Sequence, residues 1–228
     1  MAASSSRLDA ERPAFHAGGP VRRTTLRAET RDALRARIID GRLPPGTNVG
    51  ERDLSDALGV SRTPLREALL GLEGEGLLRL EAQRGFFVTD LTVAEAREIY
   101  PLIWTLEALA VQRGSPTDAD ALAAINARFR QVQDQQQALA CDRAWHEELV
   151  RQAGAARTAA VLEPLRTAAA RYEYRFFAGR TAIVESARQH DAIALALKRR
   201  RRGDAVRLIR QNWEQGLRWV EQTFARSS

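Results

Sequence analysis

The sequence predicts a mainly α protein in two parts, a small helical unit closed by a β-hairpin and a longer all-α bundle behind it. Three observations carry that prediction. Apolar residues recur at helical spacing in two short runs, Leu54, Ala57 and Leu58 before Gly59, then Leu65, Ala68, Leu69 and Leu72 after it. Two strand-like runs follow at 77–81 and 86–89, joined by Ala82-Gln83-Arg84-Gly85. Beyond Val88 no further strand signal appears, and amphipathic segments of helical length recur between glycine-bearing breaks.

Taken in order, residues 1–23 are rich in Ala, Ser, Gly and Pro with scattered arginines and are expected to be a disordered tail, in which His16 has no assigned role. A first helix is expected over residues 25–40, with Leu26, Ala33, Leu34 and Ile38 inward and Gly41 ending it. The turn Pro44-Pro45-Gly46 then leads into a helix, a tight glycine turn and a second helix. That second helix opens with Ser61-Arg62-Thr63-Pro64, where a hydroxyl can cap free N–H groups and proline removes a donor that has no partner there. Arg62 and Arg66 lie four apart and project from one face. In a helix-turn-helix the first residues of the second helix meet base edges in the major groove, and the arginine fork can donate two hydrogen bonds to guanine. The competing reading of the bare pattern is a pair of core helices with solvated arginines. The hairpin argues for a winged helix-turn-helix, with Arg84 at its tip able to reach the minor groove or a phosphate and Gly85 allowing close backbone approach.

The bundle is expected to begin after a short linker at 89–91, because Thr92-Val93-Ala94-Glu95 is a capping box. Breaks at 114–116, near Gln137, and at Gly154, Gly179 and Gly203 divide residues 92–226 into six or so helices. Trp213, Leu217, Val220 and Phe224 form one stripe, read as core or dimer contact. The basic run 198–202 reads as cations at a helix C-terminus, with Gly203 as left-handed cap and Asp204 starting the next helix; a second DNA contact is the weaker alternative. Asp142 and His146 are four apart, so on a helix carboxylate and imidazole face the same way, as metal ligands must. A plain surface hydrogen bond is the competing reading of that pair. His190 is the only other histidine in the bundle.

Composition narrows the function classes. A chain of 228 residues suits two small domains. One cysteine, Cys141, excludes an internal disulfide framework, no apolar run is long enough to span a bilayer, and residues 1–20 lack the hydrophobic centre of a signal peptide. The expectation is a soluble, cytoplasmic protein with no membrane partner. The formal charge of +6 favours a nucleic-acid partner, yet arginines and acids nearly balance between Arg22 and Asp90. Placement of Arg52, Arg62, Arg66 and Arg84 on one face carries the argument, and bulk charge does not.

Residues 31–90, with GRLPPGT at 41–47, ERDLSDALGVSRTPLREAL and LEGEGLL, closely resemble the N-terminal domain of GntR-family bacterial transcription regulators. The resemblance implies DNA contacts at Arg52, Ser61, Arg62, Thr63 and Arg66, with Gly85 in the wing. The segments DRAWHEELVRQAG, SARQHDAIALAL and GDAVRLIRQNWEQ resemble the FCD effector-binding domain of the FadR-like branch. That resemblance implies a divalent metal on Asp142, His146 and His190, with the fourth position on Asn212, where an amide stands for an imidazole. An amide oxygen is a weaker, harder ligand, which shifts preference from zinc or nickel towards manganese. The competing reading is a polar pocket in which Asp142 and His190 hydrogen-bond each other or an effector.

Relatives carry an arginine a turn before the Leu-Glu pair; here Ile103 and Trp104 precede Leu106-Glu107, so the usual anion clamp is missing. Arg171 or Arg175 could replace it, and the expected effector site comprises Trp104, Arg175, His146 and His190. The domains are expected at 1–23 (tail), 24–89 (winged helix-turn-helix) and 90–228 (effector binding and dimerisation). The implied function is a regulator, by analogy a repressor, whose homodimer reads palindromic double-stranded operator DNA under control of a small-molecule effector, such as a metal-coordinated organic acid. The alternative is a metal-dependent hydrolytic enzyme using Asp142, His146 and His190, for which the sequence supplies no additional base, nucleophile motif or phosphate loop.

Overall fold

The computed structural model describes residues 21–114 and 118–226. In the N-terminal unit α1 (Val21–Ile39) lies across α3 (Arg62–Gly74), with α2 (Glu51–Leu58) against α3's other flank. Thr30, Leu34 and Ile38 form the buried stripe of α1, one turn apart. Leu26 and Ala33, expected inward, are exposed, because the inward face is narrower than the apolar pattern suggested. The helix also begins earlier than expected and takes in residues 21–23 of the anticipated tail. The remainder of that tail, with His16, lies outside the described residues.

Gly59 ends α2 in the left-handed region at φ 63°, and its N–H reaches Ser55 O, so the chain turns sharply into α3. Leu65, Ala68, Leu69 and Leu72 are fully buried, the three leucines in one cluster with Leu34, Ile38, Leu77, Phe86 and Val88. The hairpin comprises β2 (Leu78–Glu81) and β3 (Gly85–Val88), with Gln83 (φ 64°) and Gly85 (φ 92°) turning the chain at its tip. A third strand, β1 (Asn48–Val49), pairs antiparallel with β3 through Asn48↔Phe87 and Val49↔Phe86, giving the order β1-β3-β2. Sequence reasoning missed β1 because two residues carry no period.

Behind the sheet, Thr92 caps α4 by accepting from Glu95 N at 3.0 Å, as the capping box predicts. The bundle consists of α4 (Val93–Arg113), α5 (Ala119–Phe129), α6 (Gln135–Gln152), α7 (Ala156–Phe176), α8 (Arg180–Lys198) and α9 (Arg202–Ala225). Helix α4 runs along α9 and α7, α8 bridges α9 and α5, and α6 lies between α5 and α7. Tyr100, Ile103, Trp145, Leu149, Tyr172 and Ile209 anchor its core. Trp213 and Val220 are buried in it and Leu217 and Phe224 pack on it, so that stripe is core of this chain.

The breaks fall at Gly154 (φ 70°) and Gly179 as expected. The break placed near Gln137 lies at 130–134, where Asp134 caps α6 by accepting from Gln137 N at 2.8 Å. Of the break at 114–116, Gly114 ends α4 with its N–H donating to Ala110 O, and residues 115–116 lie outside the described residues. At the basic run the left-handed residue is Arg200 (φ 58°), and Gly203 sits inside α9. The Arg202 guanidinium, donating to Gln112 O at 3.3 Å and Gly114 O at 2.9 Å, ties the start of α9 to the C-terminal carbonyls of α4. No helix among the described residues is long and apolar enough to cross a membrane.

Candidate DNA interface and buried polar site

The burial pattern of α3 divides it in two. Ser61, Arg62, Thr63 and Arg66 are exposed at its start while the apolar stripe is core, and Arg52 is exposed on α2. Ser61 is the N-cap residue but makes no side-chain cap bond, so the expected capping role is absent and its hydroxyl is available to a ligand. Arg66 Nη1 pairs with Glu51 at 2.5 Å, and Arg84 pairs with Glu81 at 2.5 Å while stacking 5.0 Å above the Phe87 ring. Both are exposed ion pairs, worth about 0–1 kcal/mol, which a phosphate or base edge can displace at little cost. Asn48 Nδ2 donates to Arg84 O at 3.2 Å and so fixes the hairpin tip beside the strand that leads into α2. At the far end of α3, Arg35 grips Glu75 with two bonds of 2.8 and 2.6 Å, setting the helix against α1.

The second site lies inside the bundle. Asp142 and His146 occupy successive turns of α6, and His190 comes from α8; their ligand atoms lie within 4.8 Å of one another, all three side chains buried. His190 Nε2 is 3.4 Å from Asp142 Oδ1, and His146 Nε2 is 3.9 Å from Asp142 Oδ2. Each imidazole is held from behind. His146 Nδ1 is 2.9 Å from Glu107 Oε2, and His190 Nδ1 is 3.3 Å from Asn126 Oδ1. Asn126 spends its amide hydrogens on Ala187 O (2.7 Å) and Asp191 (2.6 Å), so its oxygen must accept from His190. In their neutral forms both rings therefore carry the proton on Nδ1 and turn the Nε2 lone pair towards Asp142. Trp145 stacks on His190 with centroids 4.0 Å apart and locks the ring plane.

Glu107 anchors this arrangement. Fully buried on α4, it accepts from Arg166 Nη2 at 2.6 Å, Trp213 Nε1 at 2.9 Å and His146. Burial alone would raise its pKa, but His146 and Arg166 outweigh that and hold it down to about 2. Asp142 has no such cation of its own, and burial pushes it up to about 6 against the pull of His146. For His146 the pull of Glu107 exceeds the desolvation cost and raises the pKa, whereas burial and the nearby His146 depress His190 well below the usual imidazole value. His190 Nε2 is buried without a hydrogen-bond partner. A lone pair stranded beside a carboxylate and a second imidazole is the donor set a divalent cation satisfies, and the residues fit one.

A small cavity of about 30 Å³ opens from this cluster, walled by Tyr100, Trp213, Glu173 and Asn212 among others. Asn212 thus reaches the site, its amide nitrogen donating to Gln189 Oε1 at 2.7 Å. Two expected effector residues do not reach it. Trp104 lines a separate groove between α4 and α9, where Arg210 stands 5.8 Å from its ring, and Arg175 is exposed. Sequence reasoning missed Glu107, Arg166, Asn126 and Glu173 as parts of the site. The only available signal was that Glu107 and Arg166 interrupt otherwise apolar helix faces.

An exposed reading helix with a wing, joined to a helical bundle with a buried ligand-type pocket, defines a DNA-binding regulator with a sensing domain. The chain belongs to the GntR family: the model of bacterial regulatory proteins of the gntR family matches residues 26–88, and the FCD domain matches residues 101–215. An uncharacterized HTH-type transcriptional regulator of Agrobacterium vitis, from the TAR-I ttuE-ttuC' intergenic region, is 32% identical over 130 residues, 53% of this chain and 74% of that protein. The gluconate operon transcriptional repressor of Bacillus licheniformis is 39% identical over 89 residues, 39% of this chain and 36% of that protein. With several curated relatives the match spans only 35% to 39% of their length. A putative GntR transcriptional regulator from Rhodococcus sp. RHA1 shares the fold, with TM-score 0.75 at 23% identity over 87% of this chain and 98% of that one. This is a family of transcription regulators and not of enzymes, which leaves the hydrolytic alternative without support.

Proposed function

We propose that the protein is a homodimeric, cytoplasmic repressor that reads a palindromic operator with the start of α3 and the wing, and releases or tightens its grip when a small molecule enters the bundle. The observation that carries this reading is one chain holding both an exposed Ser61, Arg62, Thr63, Arg66 surface and a buried Asp142, His146, His190 cluster. Two-fold symmetry follows from the size of the reader, since one helix-turn-helix covers too few base pairs to specify a site. Repression is the direction carried by relatives named as repressors. We place the division between reader and sensor at residues 89–91.

In this reading a divalent ion, zinc, nickel or manganese, is held by Asp142, His146 and His190, with Asn212 beside it. When bound it supplies positive charge and open coordination positions to a cavity that no lysine or arginine lines. An organic acid would therefore be held by the ion, with His146 and His190 alongside, in place of an arginine clamp.

Helix α7 links sensor to reader. Arg166 on this helix grips Glu107 at the site, and Arg171 of the same helix donates to Thr89 O (3.0 Å), Thr89 Oγ1 (2.7 Å) and both Glu95 oxygens (3.1 Å). Thr89 in turn donates to Gly76 O at 2.7 Å, just past α3, and the Tyr172 hydroxyl accepts from Thr92 N at 3.0 Å. A ligand shifts DNA affinity through such a path only if it binds the two arrangements of α7 unequally.

The test is operator selection from fragmented genomic DNA, followed by fluorescence anisotropy with and without Zn²⁺ or Mn²⁺ and small hydroxy acids. A two-fold site whose affinity changes on addition supports the reading. Selection of no sequence, or a monomer by light scattering with and without DNA, overturns it.

A further inference from the structure

We infer that Glu173 is a second carboxylate of the cation site, and that it decides which cation the site prefers. This rests on the cation reading of Asp142, His146 and His190. Glu173 lies two turns beyond Arg166 on α7, so both fall on the helix face turned to the site. It lines the same cavity as Asp142, His146 and Asn212, and its carboxylate makes no hydrogen bond or ion pair among the described residues. Burial and the charge of Asp142 oppose its ionisation, while His146, Arg143 and Arg166 favour it.

Two carboxylates lining one aromatic-walled cavity that has no lysine or arginine are relieved by a proton or by a cation that enters between them. The buried, unpartnered His190 Nε2 points independently to the same occupant, because an ionised carboxylate has no proton to donate to an imidazole lone pair. Asn212 adds to the bias, for it lines the cavity with its amide nitrogen donating to Gln189, and the donor atom an amide can offer an ion is its oxygen. A set of two imidazole nitrogens with carboxylate and amide oxygens is harder than a set of three imidazoles. It therefore favours Mn²⁺ relative to Zn²⁺ more than the latter does. Glu173 acts on the ion directly or through one bound water.

The experiment uses the full chain, purified without a histidine tag, stripped with chelator and titrated calorimetrically with Mn²⁺ and with Zn²⁺, with bound metal counted by elemental analysis. Expected are one Mn²⁺ per chain in the wild type, a loss of Mn²⁺ affinity of about tenfold or more in Glu173→Gln, and a change under about threefold for Zn²⁺. Glu173→Asp, which keeps the charge, should recover most of the Mn²⁺ affinity and shows that loss in the Gln variant is not misfolding. Equal Mn²⁺ affinity in wild type and Glu173→Gln overturns the role of Glu173 and leaves the cation site standing. A natively folded wild type that takes neither metal overturns both.

Discussion

Arginine does opposite work in the two halves of this chain. In the reader, Arg52, Arg62, Arg66 and Arg84 are exposed, and the partners recorded for Arg66 and Arg84 are surface carboxylates. In the bundle, Arg166 and Arg171 are only 5% and 3% exposed, and both are held by short bonds to fixed acceptors. The difference teaches that an exposed arginine is left weakly paired and free to exchange partners, whereas a buried one is fixed with its acceptor and holds helices in register.

That contrast can be broken first where it is strongest. Glu107→Ala leaves Arg166, His146 and Trp213 without their shared acceptor, and should cost roughly 3–5 kcal/mol in urea unfolding at neutral pH. Because the folded pKa of Glu107 is depressed to about 2 from a reference of 4.5, its contribution is complete above that reference. It is lost as pH falls through the folded value, so wild type and Glu107→Ala should converge in acid. A difference that grows on acidification would contradict the assignment.

The exposed arginines should behave in the reverse way. Arg62→Ala or Arg66→Ala is expected to remove roughly 1–3 kcal/mol of base discrimination while shifting stability by less than about 0.5 kcal/mol. Operator affinity unchanged in both variants would refute the recognition-helix assignment. Arg171→Ala sits between these regimes: metal uptake and operator binding persist, but the free-energy coupling between them falls by about 0.5–2 kcal/mol. Coupling intact in that variant would remove α7 from the path. A smaller effect is expected of Arg84→Ala, a uniform loss across sequences with the salt dependence of binding reduced by about one phosphate contact. Arg175→Ala, at an exposed position outside the cavity, should leave DNA and metal binding unchanged.

Much of the reader was legible from residue order. Its apolar spacing, the glycine turn after Leu58 and the wing all depend on neighbours within a few positions, and the structure has them where the periods put them. Strand β1 and the early start of α1 were not legible, because a two-residue strand exists only through its pairing with β3 and a helix end is decided by local caps. The site was legible in part: a spacing of four places Asp142 and His146 on one face, whereas Asn212 came from the family resemblance and not from spacing. Sequence reasoning mistook Trp104 and Arg175, since helical periodicity tells which residues share a face and not which neighbouring helix that face meets.

The sequence by itself determined the division into a winged helix-turn-helix and an all-α bundle, the cap at Thr92, the exposed start of α3 and the Asp142–His146 turn. All are short-range consequences of helix geometry and capping. Tertiary structure alone decided that His190 closes on Asp142 from another helix and that Glu107 and Asn126 set both imidazoles. It also decided that Glu173 turns into the same cavity and that Arg171 reaches back to Thr89. Each of these joins residues many positions apart, and a charged side chain reads as solvent-facing in sequence until a partner across the bundle makes its burial affordable in free energy.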